Sequence, residues 1–270
     1  MKSKGISYPY VGWMALFVVA PLIIITVYAF TAEAGGFTLE NFKNITPYLA
    51  AFGRSFALAA AATVVCVLVG YPLAYCLAKN TGWIHRMATM LIMLPMWMNF
   101  LLRTYSWKFI LDKNGFLNSI LGLLGLDPLR MINTPGAIVL GMVYNFLPYM
   151  VLPIFSVLSK LDPKVIEAAQ DLGANSATVF RRVTLPLSIP GVLSGVTMVF
   201  IPSVSTFAIS QLLGGGKILL VGNLLELQFV GGAYNPWLGS AISVVMMVIV
   251  LICMAVMNHF GEGDEGGMTL

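Results

Sequence analysis

The sequence predicts an all-α integral membrane protein with six transmembrane helices, and three observations carry that expectation. Of 270 residues, 59% are hydrophobic and only 10% are charged, against about 25% charged in ordinary soluble domains. Several charge-free runs approach or exceed the roughly 20 apolar residues needed to cross the hydrocarbon core. The runs are continuous and lack the alternation of a β-barrel strand.

The runs are Gly5–Ala32, Ser55–Ala78, Met87–Leu102, Met131–Ser159, Val183–Gly216 and Leu227–Gly261. The third is short if it stops before Arg103. It is expected to continue through Thr104-Tyr105-Ser106-Trp107, with Arg103 near the outer interface. Lys2 and Lys4 precede the first run, and Ala32-Glu33-Ala34 imitates a signal-peptidase site. A secretory apolar core has about 7–15 residues. This run is longer and reads as an uncleaved span. Residues 1–270 are therefore expected to form a single membrane domain, with 160–186 as a polar loop inside it.

Lysine and arginine set the expected orientation. With the amino terminus in the cytoplasm, inner segments hold Lys2, Lys4, Lys79, Arg86, Lys160, Lys164, Arg181 and Arg182. Outer segments hold Lys43, Arg54, Lys113, Arg130 and Lys217. Eight against five places both termini inside. Arg103 and Lys108 narrow the margin, and an odd number of spans is the main rival. The acidic tail, with Glu262, Asp264 and Glu265, counts little. Trp13, Trp83, Trp97, Trp107 and Trp237 fall near span ends, where indoles anchor at the interface. Gly191 and Gly195 form a GxxxG pair suited to close helix packing. Prolines recur in or beside spans, at Pro21, Pro72, Pro95, Pro148, Pro153, Pro190 and Pro202.

Several function classes find little support. The net charge of +4 is small and scattered, which does not point to nucleic acid. Cys66, Cys76 and Cys253 lie in apolar runs without metal or disulfide spacing. His85 and His259 stand apart, so neither a metal site nor a constellation for membrane-enzyme chemistry emerges. A secondary transporter often shows internal repeats and mid-span ionisable residues, and neither is clear.

The loop between the fourth and fifth spans is the most informative segment. Asp162 suits a helix N-cap, and Pro163 suits the first helical position. The helix should run to about Leu172, where Gly173 supplies a left-handed stop. Lys164, Glu167 and Asp171 fall on one side, and Val165, Ala169 and Leu172 on another. A second helical piece is expected over Ser176–Thr184, carrying Arg181 and Arg182, before Leu185-Pro186 leads into the fifth span. Connections between packed helices typically have about 2–8 residues, so this loop is long. It fits either an interfacial amphipathic segment or a docking surface.

Glu167-Ala168-Ala169, then Gly173, Val183 and Leu185-Pro186, resemble the cytoplasmic loop of ABC-importer permeases. That loop reads E-A-A, three residues, G, nine residues, I, one residue, L-P. Every spacing agrees, and valine stands for isoleucine. The resemblance implies a type I ABC importer permease fold. It also implies that the first loop helix is a coupling helix docking on a cytoplasmic ATPase. Glu167, Ala168, Ala169 and Gly173 carry over directly. Asp162, Pro163, Leu185 and Pro186 frame the loop, and Asp171 and Arg182 join it on their charge.

Further stretches resemble polyamine (spermidine/putrescine) permeases: Leu94-Pro95 through Trp97, Arg103-Thr104-Tyr105 with Trp107, Asp171-Leu172-Gly173-Ala174, Gly214-Gly215-Gly216-Lys217, Gly222-Asn223 and Gln228-Phe229. The implied partners are two copies of an ATPase, a second permease forming a heterodimer, and an external polyamine-binding protein, all at the cell (cytoplasmic) membrane. Gly216-Lys217 imitates the end of a phosphate-binding P-loop. That motif needs glycine where Gln211 stands and Ser or Thr where Ile218 stands. No nucleotide site or cofactor is therefore expected in this chain, and ATP with magnesium belongs to the partner ATPase.

A polyamine pathway calls for carboxylates or aromatic faces, each cation–π contact contributing about 0.5–2 kcal/mol. Candidates are Trp97, Asn99, Tyr105, Tyr144, Asn145, Phe207 and Gln211, with Asp112 and Glu226 near the outer mouth. For the aromatics, packing or anchoring is the competing expectation. Arg103 would repel a cation, and it suits a structural or gating role. For an anionic cargo it would be a ligand, so a permease for an anion, iron or a sugar stays open beside the polyamine reading.

Overall fold

A computed structural model describes residues 7–79 and 82–262. Lys2, Lys4, Asp264 and Glu265, and the side chains of His85, Arg86, His259 and Glu262, lie outside that description. The described chain is helical, with one isolated bridge pairing Thr31 and Phe37. Among the described residues, five helices are long and apolar enough to cross a membrane, and a bent pair, taken as one span, brings the number to six.

The first span, Pro9–Ala29, lies at the periphery. Apart from Ala29, its residues are exposed or half-exposed, and it packs on the sixth span, Pro236–Glu262. A wide π turn at Ala15–Val19 precedes Pro21. Proline removes one backbone donor and crowds the carbonyl four residues back, and a wider turn accommodates both.

The second span (Leu49–Lys79), the fourth (Pro135–Leu158) and the fifth (Leu185–Ser205) form the main core. Lipid provides no hydrophobic drive between helices, so close backbone approach must do the packing. Glycines make that approach possible. A Cβ on Gly70 would lie 3.0 Å from Met150 Cγ, and one on Gly195 would lie 2.7 Å from Met150 Sδ and 3.1 Å from its carbonyl oxygen. The fully buried Met150 thus fills a notch between two glycines on two spans. A Cβ on Gly191 would meet the Pro153 carbonyl at 3.0 Å. A second cluster joins Ala29, Phe52, Ala59, Val204, Val221, Leu238, Ala241 and Ile242.

The third span departs from the expected single helix. Trp83–Trp97 ends at Met98, and a new helix runs over Phe100–Leu111, with a bend of 95° between the two directions. Asn99 restarts it, its side-chain oxygen accepting from the Leu101 amide at 2.9 Å and from that of Leu102 at 3.3 Å. Free amides at a break are costly in lipid, and this cap satisfies two of them.

The fifth span also departs from its expected length. It ends at Ser205, not near Gly216. Two short helices, Ala208–Leu213 and Val221–Phe229, fold back over the end of the bundle far from the 160–186 loop. Asn223 fastens them, with its Nδ2 donating to the Phe207 carbonyl at 3.2 Å and its oxygen meeting Ser210 Oγ. A Cβ on Gly222 would lie 2.5 Å from the Ser205 carbonyl, so glycine lets this cap close on the fifth span. The Val221 amide donates to Ser55 Oγ at 2.9 Å.

Candidate functional site

The loop helix spans Pro163–Asp171. Asp162 caps it, accepting from the Lys164 amide at 3.0 Å. At the other end Gly173 has φ +84°, its amide donates to Gln170 O at 2.8 Å, and the Ala174 amide donates to Ala169 O at 3.1 Å. This pair of bonds is a Schellman ending.

The side chains divide differently from the expected faces. Ile166 and Ala169 turn inward and are half-buried. Val165 and Leu172, expected with Ala169, project outward instead, and Leu172 is 90% exposed. Ile166 and Pro163 face a cavity of about 300 Å³ under the helix, which Tyr75, Lys79 and Leu161 also line. Occupying that inner side leaves Val165 and Leu172 beside exposed Glu167, Ala168 and Asp171 on the outer surface.

The second loop helix is not a separate piece. Ser176–Val179, capped by Asn175 accepting from the Thr178 amide at 2.9 Å, continues through a π turn at Phe180–Thr184 into the fifth span. Pro186 stands two residues after that turn, the arrangement already seen at Pro21. Arg181, Arg182, Leu185 and Pro186 are all exposed.

This junction grips the second span. The Phe180 ring meets Tyr75 at 5.3 Å between centroids and Tyr71 at 5.9 Å, both edge-on. Lys79 Nζ lies 4.5 Å above the Tyr75 ring. Tyr71 Oη and Ser188 Oγ form a buried hydrogen bond of 2.8 Å. Sequence reasoning named none of these residues as a site. Their only sequence signal is the four-residue spacing of Tyr71, Tyr75 and Lys79, which puts them on one helix face.

The pathway candidates fall into three groups. Arg103, Tyr105, Tyr144, Asn145 and Gln211 lie on the Phe100–Leu111 helix, the fourth span and the Ala208–Leu213 helix, which pack on one another, with Phe207 as the cap of the last. Trp107 and Tyr144 meet edge-on at 5.4 Å. Trp97 is 88% exposed at the bend, where Asn99 serves as the cap. Asp112 and Glu226 lie apart, at the end of the Phe100–Leu111 helix and on Val221–Phe229. Arg103 is buried within the protein at 7% exposure. Its Nε and Nη1 have no hydrogen-bond partner among the described residues, and neither do the buried oxygens Asn145 Oδ1 and Gln228 Oε1.

The family described as "Binding-protein-dependent transport system inner membrane component" matches residues 66–262. The chain is 37% identical over 255 residues to the spermidine/putrescine transport system permease protein PotB of Haemophilus influenzae, covering 91% of this chain and 89% of that protein. It is 36% identical over 256 residues to PotB of Escherichia coli K12, covering 91% and 93%. Its fold resembles a chain in the crystal structure of a bacterial alginate ABC transporter in complex with an alginate pentasaccharide-bound periplasmic protein. There the TM-score is 0.83 at 16% identity, covering 98% of this chain and 94% of the other.

Proposed function

Because the chain belongs to the family of binding-protein-dependent transport system inner membrane components, we propose that it is the permease subunit that carries spermidine and putrescine in an ATP-driven importer. The observation that carries this reading is its likeness, over 91% of its length, to two proteins described as spermidine/putrescine permeases. An external binding protein delivers the substrate, a second permease completes the pathway, and two cytoplasmic ATPase subunits bind ATP and magnesium. Both termini and the 160–186 loop face the cytoplasm. In support, Lys79, Lys160, Lys164, Arg181 and Arg182 cluster at the loop end of the bundle.

The outer surface of the loop helix is the ATPase contact. Val165 and Leu172 supply apolar area, and Glu167 and Asp171 supply charge. Asp162, Pro163, Ala168, Ala169 and Gly173 hold its shape, while Arg182, Leu185 and Pro186 pass its movement to the fifth span. Within the membrane, a polyamine is a chain of ammonium donors. Asn145 Oδ1 is a buried acceptor without a donor, and Tyr144, Tyr105 and Phe207 offer ring faces. Weak, distributed contacts of this kind let substrate leave as well as enter.

The test is substrate-stimulated ATP hydrolysis by the complete complex in proteoliposomes. Spermidine with its binding protein should stimulate hydrolysis and uptake. Glu167→Arg should abolish uptake while the chain still inserts. The buried Arg103, whose Nε and Nη1 lack partners among the described residues, favours a second reading, an anionic cargo. Stimulation by an anion and not by spermidine would establish that reading and overturn the first.

A further inference from the structure

We infer that Phe180 is the positioning residue that transmits movement of the loop to the second span. The inference rests on the coupling role proposed above for the loop and adds the route by which its motion spreads. An unbroken run of helical turns links the far end of the loop to the fifth span. The fourth span is joined to the loop through the short turn at Ser159–Leu161, and the second span has no covalent link at that end except through the third. Yet the second span packs most closely with the fourth and fifth, so it must move with them when the bundle rearranges.

The Phe180 ring on Tyr71 and Tyr75 and the Tyr71–Ser188 hydrogen bond bind the second span to the junction. The π turn between Phe180 and Ser188 makes both possible. In an uninterrupted α-helix, eight residues rotate by about 800° at about 100° per residue, leaving the two side chains about 80° apart. A π turn absorbs one residue. The effective rotation becomes about 700°, only about 20° from a common face. Phe180 and Ser188 therefore reach the same neighbouring helix, as the distances show. Pro186 lies two residues past the π turn, which accommodates its missing amide and ring, so Leu185-Pro186 falls where the register of the grip is set.

Phe180 differs from a general packing residue in where it sits. Its partners lie on the last turns of the second span, next to Lys79 and above the cavity under the loop helix. That cavity leaves space beneath the loop helix, and the ring contacts of Phe180 with Tyr71 and Tyr75 bridge the junction to the second span beside it.

The deciding experiment measures polyamine taken up per ATP hydrolysed in proteoliposomes containing the complete complex, with Phe180→Ala, Phe180→Leu and Phe180→Tyr. A cysteine at Val165 cross-linked to the ATPase reports docking separately. Phe180→Ala is expected to keep docking and basal ATP hydrolysis and to lower uptake per ATP about tenfold. Phe180→Tyr should restore the ratio, and Phe180→Leu, which retains bulk without the ring edge, should fall between. If Phe180→Ala fails to assemble, the Leu variant decides by the same ratio. An unchanged ratio with the cross-link intact overturns the inference and leaves the docking reading standing. Absence of the cross-link in the Val165→Cys protein with Phe180 retained overturns both.

Discussion

Gly173 shows how one backbone angle holds the loop. A Cβ there would meet nothing within 4 Å, so space is not its constraint, but its φ is +84°. An L-residue in that region costs about 1–2 kcal/mol, and Asn tolerates it best. Gly173→Asn should keep most uptake. Gly173→Val should fray the last turn carrying Asp171 and Leu172 and reduce ATPase recovery with the permease. Equal uptake in both variants would show that the Schellman ending is dispensable. Asn99 carries a comparable local duty at the bend of the third span, where its side chain caps the helix that leads to Arg103.

At the scale of elements, the main core is a three-helix junction set by small residues. The Cβ distances at Gly70, Gly191 and Gly195 all converge on the middle and loop-end half of the fourth span. Gly195→Val would push the fifth span off the Met150 backbone, which cannot yield as a side chain can. Overpacking of a tight core costs about 1–3 kcal/mol, so this variant should lower the thermal midpoint in detergent by several degrees. A midpoint equal to that of the unsubstituted protein would show that the spans can part without loss. The caps built from Asn223 and Gly222 work by the same close approach at the far end of the bundle.

For the whole molecule, stability and transport pull apart at Arg103. A guanidinium stays charged in any protein environment, and burying it without partners costs several kcal/mol. Arg103 Nε and Nη1 have no partner among the described residues, and an acceptor supplied by a partner subunit or by another arrangement of the bundle would offset that cost. Arg103→Met should therefore raise the thermal midpoint of the purified permease while lowering uptake. A lower midpoint would show that Arg103 is structurally satisfied, and full uptake would remove it from the transport cycle.

The sequence by itself determined the membrane class, the six apolar segments and the start and stop of the first loop helix, because each depends on local chemistry. Charge-free length measures a span, Asp162-Pro163 starts a helix, and Gly173 ends one. Spacing alone tied Glu167-Ala168-Ala169 to Leu185-Pro186. Only the tertiary structure decided which side of the loop helix is free. Val165 and Ala169 look alike in a helical pattern, yet Val165 is exposed and Ala169 half-buried. The same holds for the broken third span, whose direction change falls inside one continuous apolar run, and for the early end of the fifth, whose continuing apolar run covers a cap and not a longer helix. Phe180 was invisible for the most general reason. Its partners are more than a hundred residues away in the chain, and a π turn shifts it onto a face that regular helical periodicity does not assign to it.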